Sequence, residues 1–255
     1  MVNRLIVKPQ RVNTPLSIPK GQAIAGNAIG ILVLDLWYPY LPGNVANAST
    51  YDFPVHYKIL EGTTLSQIFN GDSALIDQII EGGQQLEKQG VRAIIGACGY
   101  LGNYQKETTA ILHVPVFLSS LLQVPVISRG LKPNQKVGII CAVSDSLTPN
   151  LLSQCGVDEL SNIVIAGAQD LSEFQNIIRC TGHLNSYKLE QQLVDLAKQF
   201  VSKNPDIGAI LLECSDMPPY AWAIQNAVGL PVFDFYTLIN WVYNSVVRRP
   251  FTGFI

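Results

Sequence analysis

The chain has 255 residues, of which 48% are apolar and 14% charged, and its net charge is −2. This composition is that of a globular protein with a sizeable core, and the lack of a basic cluster argues against a nucleic-acid partner. The apolar runs are too short to span a bilayer, so we expect no membrane segment. Five cysteines form neither a secreted disulfide pattern nor paired metal-ligand spacings. They favour a cytoplasmic protein with free thiols and without a metal or cofactor.

The first half of the chain predicts an N-terminal arm followed by an α/β lobe. Residues 1–26 are rich in proline and polar residues, which is typical of an extended arm. Apolar strands then alternate with amphipathic helices. The strands are predicted at 28–34, 91–97 and 114–118, and the helices at 73–89 and from a cap at Asn103 to residue 112. The loop 38–51 is long, and loops of this length after a strand are usually functional.

The same pattern then restarts. Strands are predicted at 136–143, 163–165 and 207–213, and helices at 151–156, at 189–201 and from about Asp216 to a stop at Gly229. Strands that are apolar throughout indicate parallel sheets covered on both faces. We therefore predict an α/β fold of two pseudosymmetric lobes, each a parallel sheet flanked by helices, with the active site in the cleft between them. Lobe 1 would comprise residues 27–125, completed by 235–255, and lobe 2 residues 126–234.

Two cysteines occupy matching places in the two halves. Cys98 and Cys214 each follow an apolar strand, and each stands 17 residues before a proline at the start of the next strand. Ligands bind at this carboxyl edge of open parallel sheets. The helix N-terminus after each cysteine is predicted to lower the pKa of the thiol and to hold a substrate carboxylate through the N–H groups of 99–101 and 215–217.

Two thiols facing each other across a cleft suit proton exchange at a carbon next to a carbonyl group. One thiolate removes a proton from one face of the carbon and the opposite thiol returns a proton to the other face, without any cofactor. Each sulfur would then lie about 3–3.5 Å from the reacting carbon. The remaining cysteines and the histidines are interpreted as structural: Cys141, Cys155, Cys180, His56, His113 and His183.

Several residues near the strand ends or in the long loop are candidate substrate ligands, namely Asn47, Thr50, Gly99, Tyr100, Ser119, Ser215 and Asp216. Ser119 has an alternative role as a helix cap, and the two loop residues have an alternative role as ordinary surface residues. For Asp216 we favour a helix cap over a direct effect on Cys214, because it shortly precedes Pro218. Glu213 points away from Cys214 on an extended strand and is assigned a structural role.

Four segments resemble the aspartate/glutamate/hydantoin racemase superfamily of cofactor-independent, two-cysteine enzymes, in particular its aspartate/glutamate racemase branch. They are residues 42–55, 96–101, 144–149 and 213–219, within a similarity that extends roughly over 28–250. The resemblance implies two pseudosymmetric lobes with the site between them, and Cys98 and Cys214 as the acid/base pair. Glutamate racemases carry Asn-Thr after the first cysteine and Thr-His after the second, whereas this chain has Gly99-Tyr100 and Ser215-Asp216.

The leading hypothesis is therefore a cofactor-independent racemase or epimerase of a small amino acid or an amino-acid derivative. One alternative is an isomerase or decarboxylase of a small dicarboxylate, of the maleate isomerase or arylmalonate decarboxylase type. Another is a non-catalytic module that binds a small molecule or senses redox state. The loop 38–51 has no Arg or Lys to pair with a second substrate carboxylate. A homodimer is compatible with an enzyme of this size.

Overall fold

The structure is a computed structural model that describes residues 15–18 and 20–255. Lobe 1 contains the strands β1 (Ile29–Leu34), β2 (Val55–Leu60), β3 (Ala93–Gly96) and β4 (Val116–Phe117), and lobe 2 contains β5 (Lys136–Cys141), β6 (Ile163–Gly167), β7 (Ile207–Leu212) and β8 (Val232–Phe233). The strand orders are β2-β1-β3-β4 and β6-β5-β7-β8, and all pairs are parallel. Residues 1–14 and 19 of the predicted arm 1–26 lie outside the described residues.

Helices cover the two sheets. They are α1 (Leu65–Phe69), α2 (Ile76–Lys88), α3 (Gln105–Ile111), α4 (Val124–Gly130), α5 (Pro149–Gln154), α6 (Phe174–Ile178), α7 (Ser186–Lys203), α8 (Ala221–Val228) and α9 (Phe235–Val246). Among the described residues, no helix is long and apolar enough to cross a membrane. The predicted α/β fold with two parallel sheets is confirmed.

The two sheets repeat each other in three dimensions. In lobe 1, Gly30 of β1 pairs with Ile94 of the cysteine-bearing strand β3, and in lobe 2 Gly138 of β5 pairs with Ile210 of β7. A side chain at Gly30 would press on Leu86 of α2, and one at Gly138 would press on a residue of α7. The matched glycines therefore let a helix pack closely on each sheet.

One local prediction needs correction, and one strand was not predicted. Asn103 does not cap a helix, because it lies within the 3₁₀-helix Gly99–Tyr104 and its amide donates to the Tyr100 carbonyl (3.1 Å). The strand β2 was not predicted, because its side chains are mostly half-buried at the edge of the sheet and form no continuous apolar run.

The last helix connects the two lobes. α9 follows β8 of lobe 2, but its buried residues Phe235, Leu238 and Ile239 share an apolar cluster with Ile31 of β1 and Ile95 of β3. Its N-cap Asp234 accepts the Thr237 N–H (2.8 Å) in a capping box. The helix thus covers one face of the lobe 1 sheet.

We expect Ile239→Ala to lower the free energy of unfolding by about 2–5 kcal/mol, because it leaves a cavity at a fully buried site of α9. Asn244→Ala, on the exposed side of the same helix, should change it by less than about 0.5 kcal/mol. Denaturant unfolding of both variants measures this. Equal effects of the two substitutions would contradict the packing of α9 on lobe 1.

Candidate active site

A pocket lies between the lobes, where the central strands of both sheets end. It encloses about 530 Å³ of space that protein atoms do not fill, which includes solvent at its open side. Its walls come from segments after β1, β3, β5 and β7 and from the short helices α1 and α6. The lining is mostly apolar and aromatic, and among the described residues no Lys, Arg or His contributes to it. A ligand carboxylate would therefore depend on hydroxyl and backbone N–H donors.

Both matched thiols line this pocket. Cys98 follows β3 of lobe 1, Cys214 follows β7 of lobe 2, and each is only 8% exposed. The charge of Cys98 acts on Cys214 strongly enough to contribute to its raised pKa. The structure thus brings the two sulfur atoms to one site from opposite lobes. The remaining cysteines do not belong to the described lining.

The prediction that these thiols have lowered pKa values is wrong. Burial raises the pKa of both thiols above the ordinary value, and the carboxyl groups of Glu213 and Asp216 raise it further. The N–H groups of Tyr100 and Leu101 do lower the pKa of Cys98, but desolvation outweighs them. Each thiol is followed by a short 3₁₀-helix rather than by the N-terminus of an α-helix, so the helix dipole is weak.

Asp216 is not a helix cap, contrary to our prediction. The next helix has Met217 at its N-cap position, without a side-chain cap. The Asp216 carboxylate accepts instead from Asn44 Nδ2 (2.5 Å), from the Tyr38 hydroxyl (3.1 Å) and from Cys214 Sγ (3.4 Å). Burial raises its pKa to about 6, and the three donors hold it below the value that burial alone would produce.

The loop 38–51 forms one wall of the pocket, but through other residues than predicted. Asn47 donates to the Tyr40 carbonyl (2.9 Å), and the Thr50 hydroxyl donates to the Asn44 carbonyl (2.8 Å). Neither belongs to the described lining, whereas Tyr38, Tyr40 and Asn44 do. Asn47 and Thr50 therefore shape the loop that presents the lining residues.

The loop also touches lobe 2 directly. Gly43 has a φ of +101°, and a Cβ there would lie 2.9 Å from Pro219 Cα. The Val45 N–H donates to the Ser215 carbonyl (3.3 Å). A glycine is required at position 43 by both its backbone conformation and this close approach. The loop is thereby held against the segment that carries Cys214.

Gly99 and Tyr100 connect the Cys98 segment to lobe 2. The Tyr100 hydroxyl donates to the Val143 carbonyl (2.8 Å) and accepts the Val143 N–H (2.7 Å), while its ring lines the pocket. Gly99 leaves no room for a side chain, because the Glu213 carboxyl group packs against it. Gly99 itself is not part of the described lining. Gly99 thus packs against Glu213, the residue before Cys214, and Tyr100 is held by the backbone of Val143.

Glu213 is a fully buried carboxyl group at the lobe interface. Its Oε2 accepts the Ala142 N–H (3.1 Å), but its Oε1 has no hydrogen-bond partner among the described residues. Burial raises its pKa to about 8, so it is protonated at neutral pH. The hydrogen bond from a backbone N–H agrees with the structural role predicted for Glu213.

The two predicted serines have different environments. Ser119 is fully buried, caps the 3₁₀-helix Ser120–Gln123 by accepting the Leu121 N–H (3.2 Å), and does not reach the described pocket lining. Ser215 lines the pocket next to Cys214. Of the two, only Ser215 is positioned to meet a ligand.

Apart from Tyr100, sequence reasoning did not single out the aromatic and amide side chains of the pocket. The Tyr38 and Tyr40 rings lie 4.5 Å apart, and the Phe69 ring of α1 meets Tyr100 edge-on at 4.9 Å. Asn44 lies in segment 42–55, one of the four segments that carry the family resemblance, but nothing in the sequence indicates its hydrogen bond to Asp216. The cluster of aromatic residues at 37–40 was the available signal for the first pair.

The raised pKa of Glu213 predicts a pH-dependent stability. The folded state favours the protonated carboxyl group. Its contribution to the free energy of unfolding is therefore complete below the ordinary pKa of 4.5 and is lost as the pH rises through about 8. We expect the free energy of unfolding of Glu213→Gln to increase, relative to the unsubstituted protein, between pH 5 and pH 8. Denaturant titrations at both pH values measure it, with exposed Glu61→Gln as the control. A difference that does not change with pH would contradict a buried, protonated Glu213.

Relatives by sequence are lyases. No protein-family model matches the chain. It is 31% identical over 234 residues to a dimethylsulfoniopropionate lyase of Durusdinium sp. clade D, covering 89% of this chain and 77% of that protein. It is 30% identical over 236 residues to dimethylsulfoniopropionate lyase 7 of Emiliania huxleyi (strain CCMP1516), covering 89% and 69%.

Solved structures share the fold at lower identity. An allantoin racemase from Klebsiella pneumoniae matches with a TM-score of 0.61 and 15% identity, over 86% of this chain and 87% of that one. An unliganded arylmalonate decarboxylase matches with a TM-score of 0.54 and 16% identity, over 88% and 94%. The chain therefore shares the fold of this racemase and this decarboxylase, as predicted, and by its sequence it belongs to the family of the dimethylsulfoniopropionate lyases.

Proposed function

We propose that this protein is a lyase that cleaves dimethylsulfoniopropionate to dimethyl sulfide and acrylate, with Cys98 and Cys214 as the thiols beside the substrate. The relatives at 31% and 30% identity carry this activity in their names. The observation that carries the proposal is the character of the pocket: two thiols, five aromatic side chains and one buried carboxylate, without a cationic side chain in the described lining.

This lining suits a sulfonium better than an ammonium group. A dimethylsulfonium has no N–H donor and is attracted to aromatic rings, and the lining includes Tyr38, Tyr40, Phe69, Tyr100 and Phe174. An amino-acid ammonium needs hydrogen-bond acceptors. The two oxygens of Asp216 already accept from three protein donors. Its negative charge still favours a cationic ligand over a neutral one.

The carboxylate of the substrate would be held beside the thiols. The Ser215 hydroxyl lines the pocket and offers a donor. Backbone N–H groups that follow Cys98 and Cys214 supply further donors. The small number of polar groups matches a substrate with a single carboxylate, because a second one would be buried without a cation.

The chemistry needs one base. A thiolate removes the proton from the carbon next to the carboxylate, and the electron pair of that C–H bond becomes the new carbon–carbon double bond. The bond from the neighbouring carbon to sulfur breaks, and its electron pair leaves on dimethyl sulfide. Burial disfavours the thiolate form of both cysteines, but a sulfonium bound nearby would lower the thiol pKa. Binding of the correct substrate thus helps to form the base.

A second candidate function is amino-acid racemisation, which the pair of thiols from matching positions of opposite lobes favours. Both reactions begin with removal of the proton next to a carboxylate. They differ in the outcome, because a racemase returns a proton to the same carbon whereas the lyase expels a sulfide. Incubation of L- and D-aspartate and glutamate in D₂O, followed by mass spectrometry of deuterium at the α-carbon, tests this function separately.

We expect the purified protein to release dimethyl sulfide and acrylate in equal amounts from dimethylsulfoniopropionate. Of the two variants Cys98→Ser and Cys214→Ser, the one that removes the base should lower kcat/KM by about 10²–10⁴-fold, because a hydroxyl is a poor base. Cys180→Ser is the matched control, since this thiol is outside the described lining and should keep activity within about twofold. Gas chromatography of the headspace and liquid chromatography of acrylate measure the products. Full activity in both serine variants would refute a role for the thiols.

We expect Phe69→Leu to raise KM for dimethylsulfoniopropionate by about 2- to 30-fold, which corresponds to loss of a cation–π contact of about 0.5–2 kcal/mol. Leucine keeps an apolar side chain but removes the aromatic face. The control ligand is 4-methylpentanoate, in which carbon replaces the sulfonium; its inhibition constant should be nearly unchanged. If the substitution weakened the binding of both ligands equally, Phe69 would contribute to the shape of the pocket and not to recognition of the cation.

A further inference from the structure

Asp216 separates the thiol pocket from a second cavity. The second cavity is smaller, with about 180 Å³ of empty space, and Asn44, Ile177 and Asp216 line both. Its other walls include Pro39, which is exposed, and Tyr220. Asp216 therefore borders both cavities, and the wall of the second cavity includes an exposed residue.

The two thiols differ in their hydrogen bonds. Cys214 Sγ donates to Asp216 Oδ2 at 3.4 Å. Cys98 has no such acceptor among the described residues, and the groups directed at its sulfur are the N–H donors of Tyr100 and Leu101. Only the thiol of Cys214 can therefore transfer its proton to a neighbouring side chain.

The proposed lyase reaction needs a proton exit, whereas racemisation does not. Each turnover converts a zwitterion into a neutral sulfide and an acrylate anion, so one proton is left on the enzyme. That proton must leave before the next substrate reacts. An enzyme that returned it to the substrate carbon would need no such route.

We propose, building on the lyase function above, that Asp216 is the proton acceptor of Cys214 and the exit for the proton that the reaction releases. Asp216 takes the thiol proton of Cys214, which leaves a thiolate hydrogen-bonded to a carboxylic acid. The thiolate takes the proton of the substrate carbon as dimethyl sulfide departs. The carboxylic acid loses its proton to water on the side of the second cavity. The pair then again consists of a thiol and a carboxylate, and charge and protons balance.

The groups around Asp216 fit this role. The side chains whose charges interact with it are Tyr38, Tyr40, Cys98, Cys180, Glu213, Cys214 and Tyr220. None of them is a cation, so Asp216 is not locked in an ion pair. Its pKa of about 6 lets it exchange protons with water near neutral pH. Because the carboxylate form is the active one, activity should be lost as the pH falls through about 6.

The test is the pH profile of kcat/KM for dimethylsulfoniopropionate between pH 4.5 and 10. In the unsubstituted protein we expect an acid limb near pH 6. In Asp216→Asn this limb should vanish, activity at pH 7.5 should fall about 10²–10⁴-fold, and activity should recover only at alkaline pH as Cys214 ionises directly. Asp234→Asn is the matched control, because Asp234 is also a buried aspartate but lies outside the described lining. The acid limb of the pH profile of this variant should stay near pH 6.

Tyr38→Phe gives a second measure if Asp216→Asn does not fold. It removes one donor that stabilises the carboxylate, so the acid limb should move to higher pH. Two outcomes would overturn the proton-exit proposal while leaving the lyase function intact. One is an acid limb that does not move in Tyr38→Phe. The other is an acid limb that persists in Asp216→Asn while activity is lower at every pH. Failure of the unsubstituted protein to produce dimethyl sulfide at any pH would overturn both.

Discussion

The buried carboxylate of Asp216 joins the parts of the pocket on which any chemistry here depends. It links Tyr38 and Asn44 of the lobe 1 loop to the Cys214 thiol of lobe 2. Without these donors a carboxylate that is only 7% exposed would be strongly destabilised. The loop conformation, the charge at the site and the environment of the second thiol are therefore set by one group of hydrogen bonds.

A second contact holds the first thiol. Tyr100 is hydrogen-bonded to both backbone groups of Val143, and Gly99 packs against Glu213. Each of the residues that follow Cys98 thus meets lobe 2 beside the segments that lead to the pocket. Because α9 of the C-terminal segment also covers the lobe 1 sheet, the lobes share their packing. The relative position of the sulfur atoms follows from this shared interface.

In the proposed function, the low polarity of the pocket would determine both its selectivity and its chemistry. Burial raises the pKa of both thiols and so disfavours the thiolate form. A ligand cation placed among the aromatic rings would reverse part of that shift. The same surroundings suit a sulfonium, which needs no hydrogen bonds, and offer few acceptors to an ammonium. Reaction and recognition would then rest on one physical property, the burial of the two thiols in a described lining that has no cationic side chain.

The sequence alone determined the fold class and the pairing of the thiols. Runs of buried apolar residues such as those of β1, β3, β5 and β7 are local, and so is the equal spacing from Cys98 and Cys214 to the next strand. It did not determine the half-buried edge strand β2, the role of Asp216 or the contact of Gly99 with Glu213, because these depend on partners far away in the chain. Asn44 and Asp216 are 172 residues apart, and only the packing of loop 38–51 on lobe 2 makes them neighbours. The sign of the thiol pKa shifts was likewise decided by tertiary structure, since desolvation depends on what covers a group and not on the residues beside it.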